Sequence, residues 1–132
     1  MAMIRFPFQR IGGIWQPIVP IGIKLDSSWQ RVDVYVDSGA TYTILKARIA
    51  QRSGFDYRRA NLVNLQVGDG SLIRVYIHNL EVQLGTERFI CPVGFSDDLG
   101  VPFNVLGKMY VFDRFKVCFH QGERAITFEG GE

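Results

Sequence analysis

Residues Asp37-Ser38-Gly39-Ala40 set a carboxyl group, a hydroxyl and a glycine on one sharp turn, directly after the apolar run Val32, Val34, Val36. A carboxylate presented at the end of a strand gives and takes protons, so acid–base chemistry is what this segment offers. Glycine lets main-chain N–H groups approach the carboxylate, and the Ser38 hydroxyl is able to brace the loop. The same residues also fit an Asx-type turn whose aspartate does no more than cap a following helix. Other reactive side chains have less context. His78 and His120 are far apart and neither joins an acid or cysteine at ligand spacing, so no metal site is expected. Cys91, followed by Pro92, occupies an alternating strand position that favours burial over nucleophilic chemistry. Phe6, Phe8, Trp15 and Trp29 crowd the N-terminal part and are assigned to a sheet core rather than to a partner surface.

The frame that must hold such a turn is bounded by size. At 132 residues and 47% hydrophobic, the chain has room for one domain, whose core needs neither metal nor disulfide staples. Fifteen Lys and Arg against thirteen Asp and Glu give a net charge of +2 with the basic residues scattered, which argues against a nucleic-acid partner. The apolar stretch Ile18 to Ile23 is far short of the roughly 20 residues that a membrane span requires, and no membrane insertion is expected. Met1 to Arg10 lacks the pattern of a secretory signal, so a cytoplasmic location is expected, with Cys91 and Cys118 as reduced thiols unless the fold brings them together.

Apolar and polar residues alternate at period two through most of the sequence and the breaks fall at glycines, which predicts an all-β domain of short strands. Pro17 to Leu25 and Gln30 to Asp37 read as an opening strand pair, with Asp33, Tyr35 and Asp37 on the face opposite the valines. Thr43 to Arg52 has helical spacing and Gly54 just past its end, and is predicted as the one convincing helix. Leu62 to Val67 and Leu72 to Ile77 are predicted to form a hairpin across Gly68-Asp69-Gly70-Ser71, residues that tolerate positive φ. Glu81 to Leu84 and Arg88 to Val93 form a second hairpin across Gly85-Thr86. Phe103 to Leu106 is a short strand ending at Gly107, a brief helix follows around Lys108 to Arg114, and Phe115 to His120 pairs with Ala125 to Glu129. Strand, glycine turn and helix occur at Val32 to Arg52 and again at Phe103 to Arg114, which suggests two half-units about a local pseudo-twofold.

Val34-Tyr35-Val36-Asp37-Ser38-Gly39-Ala40-Thr41, the Gly68-Asp69-Gly70 hairpin and Asn104-Val105-Leu106-Gly107-Lys108 together resemble the retropepsin-like aspartic peptidases. The order in that family is apolar strand, Asp-Thr/Ser-Gly-Ala, flap hairpin, then two apolar residues and Gly before a short helix. Trp15 to Ile21 and Phe112 to Val117 are similar to stand-alone bacterial members, and the resemblance spans about residues 15 to 129. It implies an all-β acid protease fold, a closed barrel-like subunit with a flap hairpin and one or two short helices, as a single domain over residues 15–132 preceded by an arm at 1–14.

The implied activity is peptide-bond hydrolysis without metal or cofactor, on an extended peptide or protein substrate. Two carboxyl groups about 3 Å apart share one proton, one group deprotonating a water and the other protonating the carbonyl oxygen. Asp69, Asp97, Asp98 and Asp113 lack the Ser/Thr-Gly context, so a single aspartate turn implies a homodimer in which Asp37 meets its symmetry mate. By resemblance Asp37 is catalytic, Ser38 rigidifies the loops across the dimer, Gly39 offers an N–H to the carboxylate, and Ala40 leaves room for the peptide. Val67, Gly68, Asp69, Gly70 and Ser71 would form the flap, and Val105, Leu106 and Gly107 would brace the turn from below. Retroviral members carry an Asp–Arg ion pair where this chain has Thr41 and Lys108, which cannot make it. That departure motivates an alternative, a peptide-binding or dimerisation module of the same fold with little turnover.

Overall fold

A computed structural model describes residues 3–67 and 69–130. In chain order the elements are β1 (Met3–Pro7), β2 (Gln9–Ile11), β3 (Ile14–Gln16), β4 (Ile18–Leu25), β5 (Ser28–Val36), β6 (Thr43–Lys46), α1 (Arg48–Ser53), β7 (Asn61–Gln66), β8 (Leu72–Leu84), β9 (Glu87–Ser96), β10 (Asn104–Leu106), α2 (Val111–Arg114), β11 (Phe115–His120) and β12 (Ala125–Gly130). The all-β expectation holds, with two short helices. Neither is long and apolar enough to cross a membrane.

The main sheet runs β4-β5-β10-β6-β9-β8-β7, and β4 also pairs with β8 through Gly22↔Gln83 and Ile23↔Val82. That last contact closes six strands into a barrel and leaves β7 outside it, attached only to the first half of β8. Alternation fills the interior: Val19, Ile21, Ile23 and Leu25 from β4 meet Val32, Val34 and Val36 from β5, with Val82, Leu84, Phe89, Cys91, Val93 and Phe95 from the β8–β9 pair. A separate three-stranded sheet, β1-β12-β11, packs Phe115, Ile126 and Phe128 onto this core. The segment before Trp15 is tied in, because β1 pairs with β12 from Met3↔Glu129 to Pro7↔Ala125 and Phe8 is buried.

Three features depart from the sequence expectation. Thr43–Lys46 is a strand, and helix begins only at Arg48. Thr43, Ile44 and Leu45 are all buried because β6 lies between β9 and β10, so both faces of the strand are covered and the alternation that marks a half-buried strand is missing. The expected C-terminal stop is present: Gly54 is left-handed at φ 74°, and its N–H reaches the Ala50 and Gln51 carbonyls. Residues 72–77 and 81–84, read as separate strands, are one strand whose buried face changes phase. Ile73 and Val75 pack on Ile44, whereas Leu80, Val82 and Leu84 face the barrel. The third is an extra hairpin, β2–β3, turning at Gly12-Gly13 with both φ angles positive.

The strand register does carry a local twofold, but between other units than those expected: β5 and β6 correspond to β9 and β10, so Phe103 to Leu106 matches β6 and not the strand that begins at Val32. β10 lies parallel to β5 (Leu106↔Val36) and β6 parallel to β9 (Leu45↔Phe95), while β6 and β10 meet antiparallel at Val105↔Ile44. A local twofold through that last pair exchanges Val105 with Ile44 and therefore Asp37 with Ser96.

Candidate active site

The turn after β5 is fixed from three directions. Gly39 N–H donates to Asp37 Oδ1 at 2.8 Å, which holds the carboxylate against its own loop, and Ala40 N–H donates to the Asp37 carbonyl at 3.2 Å. From below, Asp37 N–H donates to the Leu106 carbonyl at 3.0 Å. From the side, Lys108 N–H and Met109 N–H donate to the Ala40 and Thr41 carbonyls, each at 2.8 Å. The bracing segment is seated in turn by the buried Thr43, whose Oγ1 accepts the Gly107 N–H at 3.1 Å. Gly107 is required by contact: a Cβ built there lies 2.3 Å from the Tyr42 carbonyl oxygen.

Asp37 is half-buried and belongs to the walls of two neighbouring pockets. The first, of about 470 Å³, lies between the turn and the β7–β8 hairpin. It is lined by Gly39, Ala40, Thr41 and Tyr42 from the turn, by Leu65, Val67 and Ile73 from the hairpin, and by Leu99 and Val101 across from them. The second, of about 360 Å³, runs along the outer side of β5, where the rings of Tyr35 and Phe103 stack at 5.4 Å beside Gln16 and Pro102. A groove with a carboxylate at its floor and apolar walls on both sides suits an extended chain whose side chains point alternately left and right.

Ser38 and Gly39 are exposed on the turn, and Ala40 is half-buried. Val105, Leu106 and Gly107 lie beneath it and are buried. At the hairpin, Val67 N–H donates to the Ser71 carbonyl and Gly70 N–H to the Val67 carbonyl, both at 2.9 Å. Asp69 Oδ1 accepts from Ser71 N–H at 2.9 Å and from Ser71 Oγ at 2.5 Å. Those two bonds, the hydroxyl's first, hold the Asp69 carboxyl below its ordinary value. Gly68 lies outside the described residues.

Sequence reading missed Tyr42, Thr43, Ile44, Leu65, Leu99, Val101 and the Tyr35–Phe103 stack. Only Tyr35 carried a signal, through its place two residues before Asp37 on the same strand face. The remaining reactive groups are spoken for. His78 Nε2 lies 2.7 Å from the Tyr57 carbonyl oxygen and His120 Nε2 lies 3.0 Å from Thr127 Oγ1. Both cysteines are unpaired, and burial pushes the Cys91 thiol up to about 12.

No family model matches the chain, and no curated protein matches its sequence. Solved structures do match it. A retropepsin-like aspartic protease from Rickettsia conorii superposes with a TM-score of 0.67 at 18% identity, over 96% of this chain and 89% of that one. The EIAV protease, solved with the inhibitor HBY-793, superposes with a TM-score of 0.54 at 18% identity, over 74% of this chain and 86% of that one. Likeness at this level of identity is a likeness of fold.

Proposed function

We propose, for a chain that has the retropepsin-like aspartic protease fold, that it is an aspartic endopeptidase built from two copies, each contributing one Asp37. The observation that carries this reading is the seating of Asp37: a carboxylate held by the Gly39 N–H, at the junction of two apolar pockets, beneath a hairpin.

The second carboxyl group has to come from a partner. The local twofold that relates the half-units sets Ser96 at the place corresponding to Asp37, and Ser96 is buried with its hydroxyl donated to the Arg74 carbonyl at 2.8 Å. A hydroxyl so engaged supplies no acid. In a homodimer the paired Asp37 carboxyls share one proton. The ionised one takes a proton from a water as it attacks the scissile carbonyl, and the protonated one donates to the developing oxyanion. On collapse of the tetrahedral intermediate the carboxyl that took the water's proton gives it to the departing amine, the other takes a proton back from a diol hydroxyl as the carbonyl re-forms, and the pair again holds one proton. The β7–β8 hairpin would close over the peptide as a flap, excluding bulk water and adding main-chain hydrogen bonds to an extended substrate.

Sizing by light scattering together with digestion of a peptide library tests this directly. Dimers that cleave, and an Asp37→Asn variant that keeps fold and dimer but cleaves nothing, are the expected results. Undiminished cleavage by Asp37→Asn, or full activity in a strictly monomeric preparation, refutes the proposal.

A further inference from the structure

Residues 97–103, between β9 and β10, wall both pockets beside Asp37: Leu99 and Val101 on the hairpin side, Val101, Pro102 and Phe103 on the other. Among the described residues, no main-chain to main-chain hydrogen bond outside the helices and strands braces these seven. The conformation is instead held by side chains reaching in from elsewhere. At the start, the Tyr57 hydroxyl stands 3.0 Å from both Asp97 carboxylate oxygens, and Arg58 Nη2 donates to Oδ2 at 3.2 Å. Tyr57 is buried, its hydroxyl also accepts from Gln51 Nε2, and its position is fixed by α1 and the loop that follows. Next, Asp98 Oδ2 accepts from Arg74 N–H at 3.3 Å and Nε at 3.4 Å, while Asp98 N–H donates to Ser96 Oγ at 3.0 Å. At the far end, Lys46 Nζ donates to the Pro102 carbonyl at 3.2 Å.

Arg74 is part of the hairpin itself, opposite Asn64 in the β7–β8 register. The Asp98 contact therefore joins the covering hairpin to the facing wall of the cleft, and the Asp97 contact joins that wall to the body of the protein. An exposed ion pair contributes little to global stability. Its effect here is on where a loop without backbone bonds of its own comes to rest.

We infer that Tyr57 and Arg74 are positioning residues for substrate: acting through Asp97 and Asp98, they clasp residues 97–103 and so set the width of the cleft beside Asp37. The inference rests on the peptidase reading for its kinetic consequence, but not for its structural one. With a peptide that the wild-type protein cleaves, Tyr57→Phe and Arg74→Gln should each raise KM about tenfold while kcat stays within about twofold, the mark of lost ground-state binding. Arg74→Lys, which keeps a charged donor, should stay within about threefold of wild type in KM. Backbone amide order parameters from NMR relaxation at residues 98–101 and 103 should fall from about 0.85 to below about 0.6 in Tyr57→Phe and Arg74→Gln, with the barrel strands unchanged. Arg74 is exposed, so its variant reports on the clasp even where Tyr57→Phe perturbs packing. Unaltered order parameters in both variants, or a fall in kcat with KM unchanged, overturns the inference. A wild-type protein that cleaves no peptide counts against the peptidase reading alone, and the relaxation measurement still decides the clasp.

Discussion

Replacing Gly107 by alanine probes the seat of the turn that holds Asp37 without touching the carboxylate. The added Cβ would lie 2.3 Å from the Tyr42 carbonyl oxygen and 2.4 Å from its carbon, where ordinary contact begins at 3.4 Å. The obstacle is backbone, so no side chain can rotate away, and relief requires the two segments to part by about 1 Å. The segment that moves carries Lys108 N–H and Met109 N–H, the donors to Ala40 and Thr41, so the displacement passes directly into the loop that holds Asp37. Overpacking of this kind costs about 2 kcal/mol, equivalent in a domain of this size to a fall in melting temperature of roughly 8 °C. A displacement of about 1 Å at the reacting group costs about 100-fold in rate, far beyond what the loss of stability alone explains at 25 °C. Differential scanning fluorimetry and kcat/KM on one peptide read the two effects separately. Gly100→Ala is the control, because a Cβ there meets nothing within 4 Å. Wild-type turnover and melting in Gly107→Ala would refute this account of how the turn is held.

Other consequences are open to simpler measurements. Leu45 is fully buried in the central strand β6, so Leu45→Ala should cost about 2–5 kcal/mol of unfolding free energy by urea titration. The Asp69 carboxyl should titrate below 3.8 by NMR, and Ser71→Ala should return it toward that value; protonation releases both Ser71 bonds, so order in the hairpin turn is present above the ordinary carboxyl range and lost as pH falls through the lowered pKa. Mass spectrometry after brief alkylation at pH 8 should find Cys118 modified and Cys91 intact, since the Cys91 thiol, pushed up to about 12 and buried, offers almost no thiolate.

Much of the frame was legible because it is local. Alternation marked β4, β5 and β9, glycines marked the turns, and four consecutive residues marked the loop that holds the carboxylate. What was hidden depends on partners distant in sequence. Thr43, Ile44 and Leu45 look helical in isolation and become a strand only because β9 and β10 cover both their faces. The phase change in β8 follows from packing on Ile44 at one end and on the barrel at the other. The pocket walls Leu99 and Val101 belong to a loop with no periodicity, fixed by carboxylates that reach Tyr57 and Arg74. The absent ion pair at Thr41 and Lys108 has a related explanation. Both positions are joined through the main chain, Lys108 N–H to the Ala40 carbonyl and Met109 N–H to the Thr41 carbonyl, which side-chain identity does not reveal.

The parallel pairing of β5 with β10 also bears on the order in which the chain matures during synthesis. Val36 and Leu106 are neighbours in space, yet the whole of β6, α1, β7, β8 and β9 must be made before they can meet. Pairings of such long range form slowly. A nascent chain that has emerged only through β9 already carries its aspartate but has no Leu106 carbonyl to anchor it, so the turn gains its seat only once β10 has been made. The carboxylate waits, unanchored, for a strand made about seventy residues after it.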